Sequence, residues 1–175
     1  VLQEAADRSP NNSLRQRMVG DVATRNNDLD AAEKAYGKVL DRHRGSTLRV
    51  VDDYTNLTRI MLDRGNVAGA RLITQDLRRN WRSNPQGELA ALVMDSLCCD
   101  KEGEPAKAKA ALEKALALHD RIAAEPDGNT GSAFSQKIAV DLAHACLATG
   151  NQDKAQEILG KVAAENHEDR GVIAQ

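Results

Sequence analysis

Four segments of the 175-residue chain share one local pattern, and this repetition limits the possible folds more than any other feature. In each segment a Gly or Asn precedes a short polar turn, an Ala five residues further on, and apolar residues at helical spacing beyond it. The turn residues are Asn27, Gly65, Gly103 and Gly150, in steps of 38, 38 and 47 residues. A period of this length indicates stacked supersecondary units, each packing on its neighbours.

The residue types in this pattern fit a hairpin of two helices. Gly and Asn tolerate the left-handed backbone that ends a first helix. Acidic residues near the start of the second helix are favoured there by the helix dipole. A small side chain five residues after the turn lets the two helices approach closely, and the residues concerned are Ala32, Ala70, Ala108 and Ala155. The sequence therefore predicts an all-α chain without strands of useful length.

This pattern resembles the tetratricopeptide repeat, a helix-turn-helix unit with a period of about 34 residues. The four alanines match the family's small position in the second helix, and Gly20 matches the small residue of the first. Leu57 and Leu142 match the large apolar position of the first helix. The third repeat departs from this, because Asp95 stands where an apolar residue is expected; a slip of one or two residues that brings in Leu97 would repair it. The resemblance implies a right-handed superhelix of about four repeats, an α-α solenoid.

The resemblance also predicts how the chain is divided, as a single domain over residues 1–175. Residues 1–12 are expected to be the tail of a preceding repeat, which ends at Pro10 because proline cannot continue a helix. Residues 169–175 are expected to begin a capping helix that covers the last hairpin. The repeats are expected at 13–48, 49–86, 87–124 and 134–168, with a loop over 125–133 before the last of them.

The order of several segments is similar to the C-terminal tetratricopeptide half of certain bacterial response regulators. The segments concerned are 9–12, 15–21, 53–57, 141–146 and 165–169. In those proteins a receiver domain takes a phosphoryl group on an Asp and the repeat half follows it. None of the receiver's own sequence features is present in this chain. The resemblance therefore implies an output or adaptor region in bacterial two-component signal transduction.

Charge and composition disfavour several classes of partner. Lys and Arg number 24 against 26 Asp and Glu, a formal net charge of −2, so a dedicated nucleic-acid binder is not expected. Aromatic residues are only 2%, which also leaves few platforms for base stacking. No run approaches the ~20 apolar residues of a membrane span. An odd number of cysteines, Cys98, Cys99 and Cys146, suits a reducing compartment, so we expect a cytoplasmic protein with these thiols as small buried helix residues.

Motifs that carry catalysis are not found in the sequence. There is no Gly-rich phosphate loop, no nucleophile elbow and no metalloprotease motif. The histidines, His43, His119, His144 and His167, have no partner at a recognised metal-ligand spacing. We predict no catalytic residue, no metal and no cofactor, and the chain is not expected to be an enzyme.

Ten polar residues are candidates for partner binding, because first helices line the concave groove in this class of repeat. A groove that mixes these side chains suits an extended or helical peptide, while the alternative is an ordinary solvated helix face. A clamp for a terminal carboxylate is not expected, since Asp21 would repel that group. The candidates are Arg17, Asp21, Thr24, Asp52, Thr55, Asn56, Arg59, Lys137, Asp141 and His144.

Two functions follow from the sequence. The first is a protein–protein interaction scaffold that holds a partner protein or peptide in its groove. The alternative is a structural or self-associating segment, in which the groove or an exposed end pairs with another copy to give a homodimer or a larger oligomer. The sequence does not name the partner.

Overall fold

A computed structural model of the chain describes residues 12–46, 48–124 and 132–172, with side chains for all of them except 132–135 and 165–172. Within these ranges the chain forms eight helices and no strand, which confirms the all-α prediction. The helices are α1 (Ser13–Arg25), α2 (Leu29–His43), α3 (Val51–Asp63), α4 (Val67–Trp81), α5 (Pro85–Lys101), α6 (Pro105–Ala123), α7 (Ser132–Ala148) and α8 (Gln152–Val172).

Side-chain caps and prolines fix where several helices begin. Asn12 accepts a hydrogen bond from the backbone N–H of Arg15 at 3.1 Å at the start of α1, and Asp28 caps α2 in the same way. Asn84 caps α5, where Pro85 occupies the first turn and needs no hydrogen bond of its own. These caps satisfy amide groups that the helix itself leaves without a partner.

The four turns within the hairpins share one geometry, as the sequence predicts. Asn27, Gly65, Gly103 and Gly150 all have positive φ, between 57° and 81°. After each of them the next amide donates to the carbonyl five residues back, at 2.8 or 2.9 Å. This is the left-handed helix ending that glycine favours and asparagine tolerates. The second helix then begins two residues after each turn residue.

The small residues of the hairpins lie where the helices meet. The four alanines that follow the turns are fully buried. In the first hairpin a Cβ built on Gly20 would lie 2.5 Å from the ring of Tyr36, so only glycine fits there without a shift. The register that the sequence predicts for these positions is confirmed.

The third hairpin keeps this register, so the predicted slip is wrong. Ser96 stands seven residues before Gly103, as Gly20 stands seven before Asn27, and it takes the small position. Its hydroxyl is buried and donates to the carbonyl of Ala108 at 2.9 Å, which satisfies the polar group. Asp95 and Leu97 are both half-buried. A slip that exchanged Asp95 for Leu97 at the buried position is therefore not needed.

The chain divides into two compact units, Val1–Asn80 and Trp81–Gln175. The first contains α1 to α3 and almost all of α4, and the second contains α5 to α8. In the first unit a buried core joins both hairpins, formed by Ala23, Ala32, Tyr36, Leu57 and Ile60. The right-handed superhelix and the single domain stay predictions.

The C-terminal end differs from the sequence prediction. Helix α8 runs without a break from Gln152 to Val172, so residues 169–172 continue that helix and do not begin a separate capping helix. The sequence around 166–168 contains no Gly or Pro to end a helix, which explains the continuity. The predicted tail at 1–11, most of the predicted loop (125–131) and residues 173–175 lie outside the described residues. Within the described part of the chain, every helix is too short or too polar to cross a membrane.

Candidate functional site

A bidentate ion pair joins the two first helices of the first unit. The guanidinium of Arg17 on α1 donates from Nε to Asp53 Oδ1 at 2.8 Å and from Nη2 to Asp53 Oδ2 at 2.7 Å. The hydrogen bond to Asp53 is the main cause of the raised pKa of Arg17. The sequence predicted Arg17 as a groove residue, and the structure assigns two of its five N–H groups to a neighbouring repeat.

The Tyr36 hydroxyl makes a second polar contact, about one helical turn along α1 from Arg17. It donates to Asp21 Oδ1 at 2.5 Å, which connects the second helix of the first hairpin to the first. Burial of the phenol raises the pKa of Tyr36, and the hydrogen bond to Asp21 raises it further. The hydroxyl therefore stays protonated and serves as a fixed donor to the carboxylate.

A third contact lies within α3. Arg59 Nη2 donates to the amide oxygen of Asn56 at 2.8 Å. The hydroxyls of two predicted groove residues bond to their own helices, Thr24 to the carbonyl of Gly20 at 2.8 Å and Thr55 to that of Asp52 at 3.2 Å. Such back-bonding to a helix carbonyl leaves these hydroxyls little freedom to turn toward a partner.

The predicted site residues of the second unit do not form one surface. On α7, Asp141 is buried, Lys137 is half-buried and His144 is exposed. A spacing of three residues puts Asp141 and His144 near one another along the helix, but only the histidine is presented to solvent. Of these two predicted groove residues, His144 is therefore accessible to a partner, whereas Asp141 is buried.

Exposure reduces the predicted groove in the first unit to a smaller set. Asp21 and Thr24 are exposed, Arg17, Asp52 and Arg59 are half-buried, and Thr55 and Asn56 are buried. The hydroxyl of Thr24 donates its hydrogen bond to a carbonyl of its own helix. The remaining set, hereafter the first-helix face, therefore presents alternating charge from Arg17, Asp21, Asp52 and Arg59.

Sequence reasoning missed the two residues that organise the first-helix face. Asp53 lies three residues before Asn56 in α3, and this helical spacing was the available signal. Tyr36 lies nine residues after Asn27, at helical spacing from Ala32, and its hydroxyl gave no separate indication of a polar role. Both side chains are buried, at positions where a helical pattern predicts packing residues and gives no indication of a polar role.

A second polar cluster lies beside a cavity of about 590 Å³ in the first unit. Arg49 donates to the amide oxygen of Asn80 at 2.5 Å, and the amide nitrogen of Asn80 donates to the Tyr54 hydroxyl at 3.2 Å. The cavity opens between α2, α3 and α4, and the sequence analysis did not predict it. These two hydrogen bonds link Arg49, just ahead of α3, and Tyr54 on α3 to Asn80 near the end of α4.

One group of potential metal ligands occurs among the described residues. Cys99, Glu102 and Glu104 have ligand atoms within 4.8 Å of one another. The amine of Lys107 donates to Glu104 Oε1 at 2.8 Å, and this hydrogen bond raises the pKa of Lys107. Glu104 is thus already neutralised by an exposed ion pair, and we assign no metal to the group.

The three cysteines, all of which lie in described helices, form no disulfide and are buried, as the sequence predicts. Burial raises the pKa of the Cys146 thiol. The thiolate is the nucleophile that attacks the disulfide of dithionitrobenzoate and displaces thionitrobenzoate, so the folded protein should react slowly with this reagent at neutral pH. Unfolding in urea should make all three thiols react fast. Rapid reaction of Cys98 or Cys146 in the native protein, followed by mass spectrometry, would contradict the burial of these side chains.

No protein-family model matches the sequence, and no curated protein matches it either. The tetratricopeptide resemblance therefore rests on residues of the chain itself, which are the turns, the alanines after them and Gly20.

Proposed function

We propose that this chain is a protein-binding scaffold, and that its partner lies along the first-helix face. The observation that supports this most directly is the Arg17–Asp53 ion pair, with partners 36 residues apart in the chain. It fastens α1 to α3 and sets polar side chains of two successive hairpins beside one another. A rigid face reduces the ordering cost that binding a partner would otherwise carry.

The charges of the first-helix face suit an extended or helical peptide. The carboxylates of Asp21 and Asp52 accept hydrogen bonds from peptide amides or from basic side chains. The planar guanidinium groups of Arg17 and Arg59 match acidic side chains or backbone carbonyls. The alternation of sign favours a partner that carries both charges over a partner that is uniformly basic or acidic.

The resemblance to bacterial response regulators supplies a context for this proposal. In that setting the chain is the output or adaptor region, and the partner is another protein of the same signalling system. We propose no catalytic residue, no metal and no cofactor for this function.

Binding should weaken when Arg59 is replaced by Ala. The immobilised chain captures proteins from the source lysate, mass spectrometry identifies them, and calorimetry measures the affinity of a purified partner. An interface arginine contributes on the order of 1–2 kcal/mol, so we expect Kd to rise roughly tenfold.

Two controls on second helices accompany this variant. Arg42→Ala removes an exposed arginine from α2 of the same unit, and Lys114→Ala removes an exposed lysine from α6. Both should leave Kd within about twofold of the unchanged chain. Equal weakening by Arg42→Ala, or full affinity in Arg59→Ala, would show that the partner does not use the first-helix face.

A further inference from the structure

Five charged side chains of α1 and α3 lie around one buried hydroxyl, that of Tyr36. Each of them interacts electrostatically with Tyr36 or with Arg17 beside it. Three aspartates against two arginines give this cluster a formal charge of −1. The five charged residues are Arg17, Asp21, Asp52, Asp53 and Arg59.

The exposed part of the cluster is negative. Arg17 and Asp53 balance each other in their bidentate ion pair, and Asp53 is buried. Of the four charged residues of the first-helix face, Asp21 alone is classed as exposed, while the other three are half-buried. Within the ranges that the structure describes, Asp21 forms no ion pair, and its hydrogen bond comes from a neutral phenol. The first charge that a partner meets on this face is therefore a carboxylate.

Tyr36 holds this exposed carboxylate in one orientation. Its hydroxyl donates to Asp21 Oδ1 at 2.5 Å, and its ring is only 2% exposed. The ring lies so close to α1 that a Cβ on Gly20 would be 2.5 Å from it, so the phenol has little room to move. A surface side chain that is already oriented loses less conformational freedom when a partner binds it.

We propose that Asp21 binds a basic side chain of the partner, a lysine or an arginine, and that Tyr36 positions the carboxylate for it. This inference rests on the proposed binding of a partner along the first-helix face and names the group that the partner presents to α1. A carboxylate that accepts one hydrogen bond from a phenol keeps further acceptor sites for an ammonium or guanidinium group. An acidic side chain at the same place would be repelled.

The test uses the whole chain, immobilised, with a library of random dodecapeptides displayed on phage as the probe. Peptides selected by the unchanged chain should share a lysine or arginine at one position of their common pattern. Asp21→Lys reverses the charge, so the peptides that it selects should carry an acidic residue at that position. Asp41→Lys is the matched control, because Asp41 is an exposed aspartate of α2 outside the first-helix face. It should select the same peptides as the unchanged chain.

The role of Tyr36 is measured with one selected peptide, by calorimetry. Asp21→Asn should raise its Kd about fivefold at low salt, and this difference should vanish near 1 M salt, where the screening length is about 3 Å. Tyr36→Phe removes the hydroxyl and keeps the ring, and it should raise Kd about two- to threefold. In the Asp21→Asn background it should change nothing further, because the hydroxyl acts through the carboxylate. Circular dichroism should show that these variants keep their helices.

The outcomes separate this inference from the proposed function. Peptides that bind the unchanged chain and lose affinity in Arg59→Ala, but that lack a basic preference or keep it in Asp21→Lys, would overturn the inference and leave the proposed function standing. If no selected peptide depended on Arg59, the proposed function would fail, and the inference with it. An equal effect of Tyr36→Phe with and without the Asp21 carboxylate would overturn the positioning role, since a merely structural loss acts in both backgrounds.

Discussion

Replacing Arg17 by Met is expected to lower the free energy of unfolding by about 2–4 kcal/mol, as for the loss of one partner of a buried ion pair. The Asp53 side chain is only 2% exposed and would lose both of its hydrogen bonds to the guanidinium. Its charge would then remain in the protein interior without compensation. The Arg17 side chain is 28% exposed, so solvent screens part of this loss and the effect should not reach the upper limit for such pairs.

Urea denaturation followed by circular dichroism measures this change, with a lower midpoint and an unchanged slope. A second variant separates buried charge from lost packing. In Arg17→Met combined with Asp53→Leu, no charge is left without a partner, and most of the loss should be recovered. A double variant as unstable as Arg17→Met alone would attribute the loss to packing of the arginine stem.

This ion pair shows why the sequence predicted the repeats better than the site. The turns depend on residues close in the chain, because a Gly or Asn with positive φ and an Ala five residues later lie within one hairpin. Partners 36 residues apart, such as Arg17 and Asp53, meet only after two hairpins have packed. Helical periodicity placed both residues on first helices but did not indicate that they bond to each other.

The second unit shows a further limit. Asp141 and His144 are three residues apart, and helical spacing alone places both on the same side of α7. The structure buries one and exposes the other, because the neighbouring helices cover only part of that side. Burial depends on the packed neighbours, so a pattern within one helix could not distinguish these two residues.

Replacing Gly20 by Ala is expected to lower the free energy of unfolding by about 1–3 kcal/mol, the usual cost of overpacking a filled interior. In an open helix the same change would be stabilising, because alanine is the better helix former by about 1 kcal/mol. Here the new methyl group would lie 2.5 Å from the ring of Tyr36. That ring is buried and its hydroxyl is held by Asp21, so it has little freedom to move away.

A second glycine in the same hairpin provides a control of opposite sign. A Cβ built on Gly37 in α2 would meet nothing within 4 Å. Gly37→Ala should therefore raise the free energy of unfolding by about 0.5–1 kcal/mol through helix propensity alone. Adding Tyr36→Leu to Gly20→Ala removes the ring, and a double-mutant cycle should show that the two changes are coupled. Thermal and urea unfolding of Gly20→Ala, Gly37→Ala, Tyr36→Leu and the Gly20→Ala, Tyr36→Leu double variant measure the sign of each change in stability. If Gly20→Ala were as stabilising as Gly37→Ala, α1 and α2 would not approach as closely as the contact of Gly20 with Tyr36 requires.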